Sequence, residues 1–230
     1  MNIGMVKPAG TLSMKVIKAK KASQRNQDSI LGILAEANPF ASDLPWEIRR
    51  WKIKNFHNLW RAMWKIFIAK IFNLPHFYGS LYLKVIKVDG REVNYGLSSL
   101  RVVTTAGVNF IATRLNDGAT TIGAFDFHGL GTGAIAEAAA DTALGTELTT
   151  QYSVDSTRAT GTPSNPTANE YRTVGTNTVD AAVAITEHGV LSQAATGGGT
   201  LLDRTVFSVI NLANGDSLQS TYTITLSAGG

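Results

Sequence analysis

Cysteine is absent from the chain. That excludes disulfides, thiolate zinc sites, thiolate-held iron–sulfur clusters and a cysteine nucleophile. No window holds about 18 uncharged apolar residues, so a membrane-spanning helix is not expected. The first apolar run is broken by "KAKK" and no small-residue cleavage site follows an apolar core, so no secretory signal is read. Lysine stops at Lys87, which excludes a phosphate loop needing Lys after its last glycine beyond that point. Histidine is scarce. His57, His76, His128 and His188 stand singly, with none two to four residues from another, so spacing marks no metal site and no acid–base pair.

What is present divides unevenly. Residues 1–75 carry 13 Lys and Arg against 4 Asp and Glu, a balance of +9. Residues 101–230 carry 5 Arg, no Lys and 11 acids, a balance of −6. Such a split predicts two parts with different surroundings, a basic arm over 1–75 and a second domain over 76–230. A basic arm seeks anionic partners. The hydrophobic share of 44% is enough for a packed core.

The arm contains the clearest helix, "DLPWEIRRWKIKNFHNLWRAMWKIFIAKIFNL" over 43–74. Asp43 suits its cap, Pro45 is tolerated in the first turn, and Pro75 stops it. Ile53, Phe56, Trp60, Met63, Phe67 and Ile71 recur at steps of three and four and predict one shared apolar face. Arg50, Lys54, His57, Arg61 and Lys65 recur likewise on another. All four tryptophans lie here, at 46, 51, 60 and 64. Before the helix, "MKVIKAKKASQRNQ" reads as a solvated basic stretch and "DSILGILAEA" as a short helix.

After Pro75 the signals change to strands. "SLYLKVIKV" and "REVNYGL" flank Asp89-Gly90, a hairpin turn pair. "LRVVTTAGVNFIATRL" reads as a strand or two with a break at Ala106-Gly107. "DSTRATGTPSNPTAN" reads as a long polar loop. In the tail, Leu218, Tyr222, Ile224 and Leu226 alternate with Gln219, Thr221, Thr223 and Thr225, the pattern of a half-buried strand. Residues 101–230 hold 24 threonines, which favours strand over helix. The expected fold is therefore mainly β, an antiparallel, jelly-roll-like sandwich with an N-terminal helical arm.

Two motifs invite a catalytic reading and do not carry it. "FHGLGTGAIAEAAADTALGTEL" alternates Gly129, Gly131 and Gly133. A dinucleotide fingerprint spaces its third glycine one residue later, inside a βαβ unit. The segment reads as a glycine-rich bend between strands, followed by a helical turn or two. "GDSL" at 215–218 matches an esterase signature, but no His or Asp follows Ser217, and a tight turn into the last strand explains it. Asp203-Arg204 reads as a local ion pair or turn anchor. The chain thus reads as non-enzymatic, without cofactor or metal.

The basic helix is the strongest functional feature. One sandwich does not readily cover two apolar faces of one helix, and a large exposed patch implies a partner. The residues expected to meet it are Arg50, Trp51, Lys54, Trp60, Arg61, Trp64 and Lys65. A membrane-surface helix and a calmodulin-type target share this composition. An acidic balance over the β region argues against nucleic acid as main partner.

"YGLSSLRVVTTAGVNFIA", "FHGLGTGAIAEAAADTALGTEL", "ITEHGVLSQAATGGGTLLDRTVFSVINL" and "GDSLQSTYTITLSAGG" together resemble a family of virion-associated proteins of tailed bacteriophages, over Leu81 to Gly230. The resemblance implies a structural role in the virion. A capsid decoration (cement) protein bound to major capsid subunits comes first. A tail or neck component, or a receptor- or glycan-binding module, comes second. A homo-oligomer, as a trimer, is expected with it. The resemblance transfers no catalytic or binding residue.

Overall fold

A computed structural model describes residues 38–41, 44–72, 76–101, 103–116 and 125–227. The basic stretch and short helix expected before residue 38, and the Asp43 cap and Pro75 stop, lie outside the described residues. Among the described residues two helices and nine strands follow one another: α1 (Trp46–Ile71), β1 (His76–Ile86), β2 (Glu92–Arg101), α2 (Thr105–Asn116), β3 (Phe127–Gly131), β4 (Ala159–Thr160), β5 (Thr162–Ser164), β6 (Glu170–Thr178), β7 (Val183–Leu191), β8 (Leu201–Leu212) and β9 (Ser217–Ser227). The strands form two antiparallel sheets, ordered β2-β1-β9-β6-β5 and β4-β3-β7-β8. The chain is mainly β, as its alternation and threonine content predict.

Period-two patterning sets which face each strand buries. Leu81, Leu83 and Val85 of β1 point between the sheets with Leu130, Ile185, Phe207, Ile210 and Leu218. Tyr78 and Tyr82, one residue out of step, meet the helix on the other side. The β1–β2 hairpin closes at Asp89-Gly90 as expected. Gly90 takes a left-handed φ of 83°, donates to the Lys87 carbonyl, and Asp89 accepts from the Arg91 amide. The β8–β9 connection crosses between sheets and uses Gly215 at φ 83°.

Three sequence expectations need correction. "TAGVNFIATRLN" is α2, a helix rather than a strand. The Thr104 hydroxyl accepts from the Gly107 amide at 3.1 Å, an N-terminal cap, and Phe110 and Ile111 pack against Val103, Phe125 and Leu202. The polar loop over 155–169 contains the short strands β4 and β5. The segment after Gly133 forms bends and turns with no helix.

α1 does not stand off from the sandwich. It lies across β2 and β8, the edge strand at one end of each sheet. Trp51 donates its indole N–H to the Ser208 carbonyl at 2.6 Å and packs edge-on against Tyr95, 4.9 Å between centroids. Asn55, fully buried, donates to the Ser98 carbonyl on β2 at 2.6 Å and accepts from the Ser208 amide on β8 at 3.1 Å. One side chain thus satisfies backbone groups on two edges that would otherwise template foreign strands. The opposite edges, β4 and β5, have two and three residues, and β5 contains Pro163, so they are blunt by length and by a missing donor.

Candidate functional site

The glycine stretch folds around an anion, and the anion is internal. Glu187 on β7 is fully buried. Its Oε1 accepts from the amides of Gly133 at 2.9 Å and Thr146 at 2.7 Å. Its Oε2 accepts from the amide of Gly145 at 2.9 Å and from Arg204 Nε at 2.8 Å. Arg204 also donates to Asp141 at 2.9 Å and to the Ile135 carbonyl at 3.1 Å. Burial alone would raise the Glu187 pKa, but the Thr146 and Gly145 amides and Arg204 outweigh it and hold the carboxyl below its ordinary range. A Cβ at Gly133 would stand 2.5 Å from Glu187 Oε1, so this glycine is needed for close approach. Arg204 therefore pairs with Glu187 and Asp141, not with its neighbour Asp203. Asp203 accepts instead from the Thr205 hydroxyl at 3.0 Å.

A second clamp lies beside the first. Arg158, buried, makes a two-pronged pair with Glu147, Nε to Oε1 at 2.5 Å and Nη2 to Oε2 at 2.9 Å. Its Nη1 donates to the carbonyls of Gln193 and Gly198, so the "SQAATGGGT" turn is fastened to the loop before it. Such forked pairs fix geometry as well as energy.

Two of the single histidines meet in space. His128 Nδ1 lies 3.0 Å from His188 Nε2, and His128 Nε2 lies 3.1 Å from the Thr173 hydroxyl across the sandwich. A Cβ on Gly175 would collide with the His128 ring, so that glycine makes room for it. Both imidazoles are fully buried. Burial pushes His128 down to about 4 and, together with its neighbour's charge, pushes His188 well below the ordinary value. A neutral chain satisfies both contacts, with His188 donating to His128 and His128 donating to Thr173. His188 Nδ1 then remains a bare acceptor without a hydrogen-bond partner. Among the described residues no three His, Asp or Glu side chains assemble as metal ligands.

The "GDSL" residues are structural. Asp216 accepts from the Ala213 amide at 2.9 Å, the Val88 amide at 3.1 Å and Lys87 Nζ at 2.6 Å, which ties the β8–β9 crossover to the β1–β2 turn. Burial would raise its pKa, but Lys87 and the two amides bring it below the ordinary value. Ser217 shares a hydrogen bond with the Thr178 hydroxyl at 2.8 Å rather than with an imidazole.

The outward surface of α1 is the remaining candidate, and much of the apolar face read from the sequence lies on it. The buried line is Ile48, Trp51, Lys52, Asn55, Leu59 and Ile66. Of the apolar face read from the sequence, Ile53, Trp60 and Ile71 are about half exposed, with Phe56, Met63 and Phe67 at the margin. Trp46, Trp60 and Trp64 are 65%, 55% and 56% exposed. Trp51 is 6% exposed and has no surface to offer a partner. Arg50, Lys54, His57 and Lys65 are exposed beside the aromatic line, and Arg61 occupies the intervening helical position, its side chain outside the described residues. The acidic surplus of the second part is mostly internal. Asp126, Glu170, Glu187, Asp203 and Asp216 are buried, and Glu147 and Asp141 are engaged with arginines. No helix among the described residues is long and apolar enough to cross a membrane.

Comparison with protein families, with curated proteins and with solved structures finds no match.

Proposed function

We propose that the chain is a non-enzymatic structural protein of a virion, a decoration module that binds major capsid subunits on the particle exterior. The observation that carries this reading is the outer surface of α1. Three half-exposed tryptophans on a rigid, backbone-anchored helix are an expensive arrangement in water, and large exposed apolar patches mark interaction sites. Tryptophan and arginine are the residue types that most often dominate protein interfaces. Three polar groups that invite a catalytic reading support the same view, because they are occupied internally. Glu187 holds the glycine loop, Asp216 holds a crossover, and Ser217 faces Thr178. The resemblance of the β region to virion-associated proteins points the same way. In this reading Arg50, Lys54, Arg61 and Lys65 meet acidic partner surface, Trp60 and Trp64 fill its grooves, and the sandwich is the part that self-associates as a trimer.

Mass spectrometry of gradient-purified particles from cells producing the chain tests the assignment. The chain is expected at a fixed ratio to the major capsid subunit. Its absence from particles, with the chain recovered free in the same lysate, would overturn it.

A further inference from the structure

From the layout of α1 we infer that its outer face is a seam for one acidic, amphipathic α-helix of a different protein. This deepens the attachment reading and rests on it for the partner's location only. Trp46, Ile53, Trp60 and Phe67 stand seven residues apart, and Trp64 and Ile71 stand seven apart on the adjacent line. A seven-residue repeat makes a straight stripe that a second helix can follow. From 46 to 71 the stripe runs about 37 Å, too long for a loop tip to cover. Three tryptophans and two isoleucines, each about half exposed or more, with Phe67 partly exposed beside them, offer on the order of 600 Å². That approaches the roughly 800 Å² per partner of a standard interface.

Charge selects the occupant. α1 carries seven Lys and Arg against Glu47 alone, so two copies of α1 repel each other. The sandwich of a second copy cannot supply the counter-charge, because most of its acids are buried or paired. The partner is therefore foreign and acidic. Among the described side chains, the exposed lysines and arginines of α1 are Arg50, Lys54 and Lys65, and they form a row on one flank of the stripe. A lipid surface is laterally uniform and favours cations on both flanks. A one-sided row matches a single acidic row on a partner helix.

The test uses the full chain and tryptophan emission, since all four tryptophans lie in α1. The probe is a synthetic peptide of about four heptads with Leu at the a and d positions and Glu at e and g. Binding is expected with an emission blue shift, and with affinity falling about fivefold or more between low and high salt. The same peptide with Lys at e and g is expected to give no shift, as are phosphatidylcholine–phosphatidylglycerol vesicles. Trp60→Gln with Trp64→Gln, both at exposed positions, is expected to abolish peptide binding with the thermal midpoint unchanged. No shift with the acidic peptide, equal binding of the Lys peptide, or a shift with vesicles alone would overturn the inference. A chain present on particles that ignores the peptide defeats this inference and spares the attachment reading. A chain that binds the peptide but is missing from particles does the reverse.

Discussion

Glu187 shows how a few atoms set the form of a long loop. Its two oxygens collect three backbone amides and a guanidinium, so the loop from Gly133 to Thr146 has one arrangement rather than many. Glu187→Gln keeps the shape but leaves Arg204 without its buried counter-charge. A loss of about 3–5 kcal/mol is expected, read as a lower urea midpoint. Asp155→Asn, at an exposed position, is expected to stay within about 0.5 kcal/mol. Gly133→Ala forces a methyl against Glu187 and is expected to cost about 1–3 kcal/mol. The histidines set the pH response. Unfolded, they titrate near 6.5; folded, His128 titrates near 4 and burial with its neighbour's charge holds His188 well below its ordinary value. Between those values the unfolded chain binds protons that the native chain refuses, so stability is complete above about pH 6.5 and falls toward pH 4. His128 alone accounts for about 3 kcal/mol of that loss. Glu187 and Asp216, both depressed, lose their contribution only at lower pH, as each is protonated. Denaturant midpoints across pH 4 to 7 check the slope, which His128→Asn should flatten. The glycine bend was legible from composition. Its occupant was not, because Gly133, Thr146, Glu187 and Arg204 meet only after two sheets have formed, and the same holds for His128 and His188.

At the scale of elements, the strands of alternating character read directly, and so did α1 and the Asp89-Gly90 turn. α2 did not. Its β-branched start resembles a strand, and Thr104 as cap marks it otherwise. Gly107 marks it too, since a Cβ there would stand 2.9 Å from Leu202, a tight approach of helix to sheet. The phase of α1 is not legible from hydropathy. Two of its faces carry apolar residues, and the fold buries the one that includes Asn55. That side chain is polar because two edge strands need a donor and an acceptor. The two faces predict opposite mutational responses. Trp51→Ala empties the seal between β2 and β8 and is expected to cost about 3–5 kcal/mol, lowering Tm by roughly 10 °C. Trp64→Ala removes an exposed ring and is expected to leave Tm within about 2 °C. Differential scanning calorimetry of the two variants separates the faces.

Across the whole molecule, the charge split of the sequence has a different meaning from the one its totals convey. The negative balance of residues 101–230 is largely held in the interior, whereas Arg50, Lys54 and Lys65 of α1 lie on the surface. The molecule is thus a stiff sandwich with one edge pair sealed by a helix, and that helix turns Trp46, Trp60, Trp64 and a row of cations outward. Attachment through this face is the central claim. Its most direct measurement is the occupancy of Trp60→Gln/Trp64→Gln on purified particles, relative to the unaltered chain at equal expression. A folded double variant with unchanged Tm and occupancy reduced about tenfold or more, the effect of roughly 1.4 kcal/mol, is the predicted result. Undiminished occupancy of the folded double variant would contradict the account.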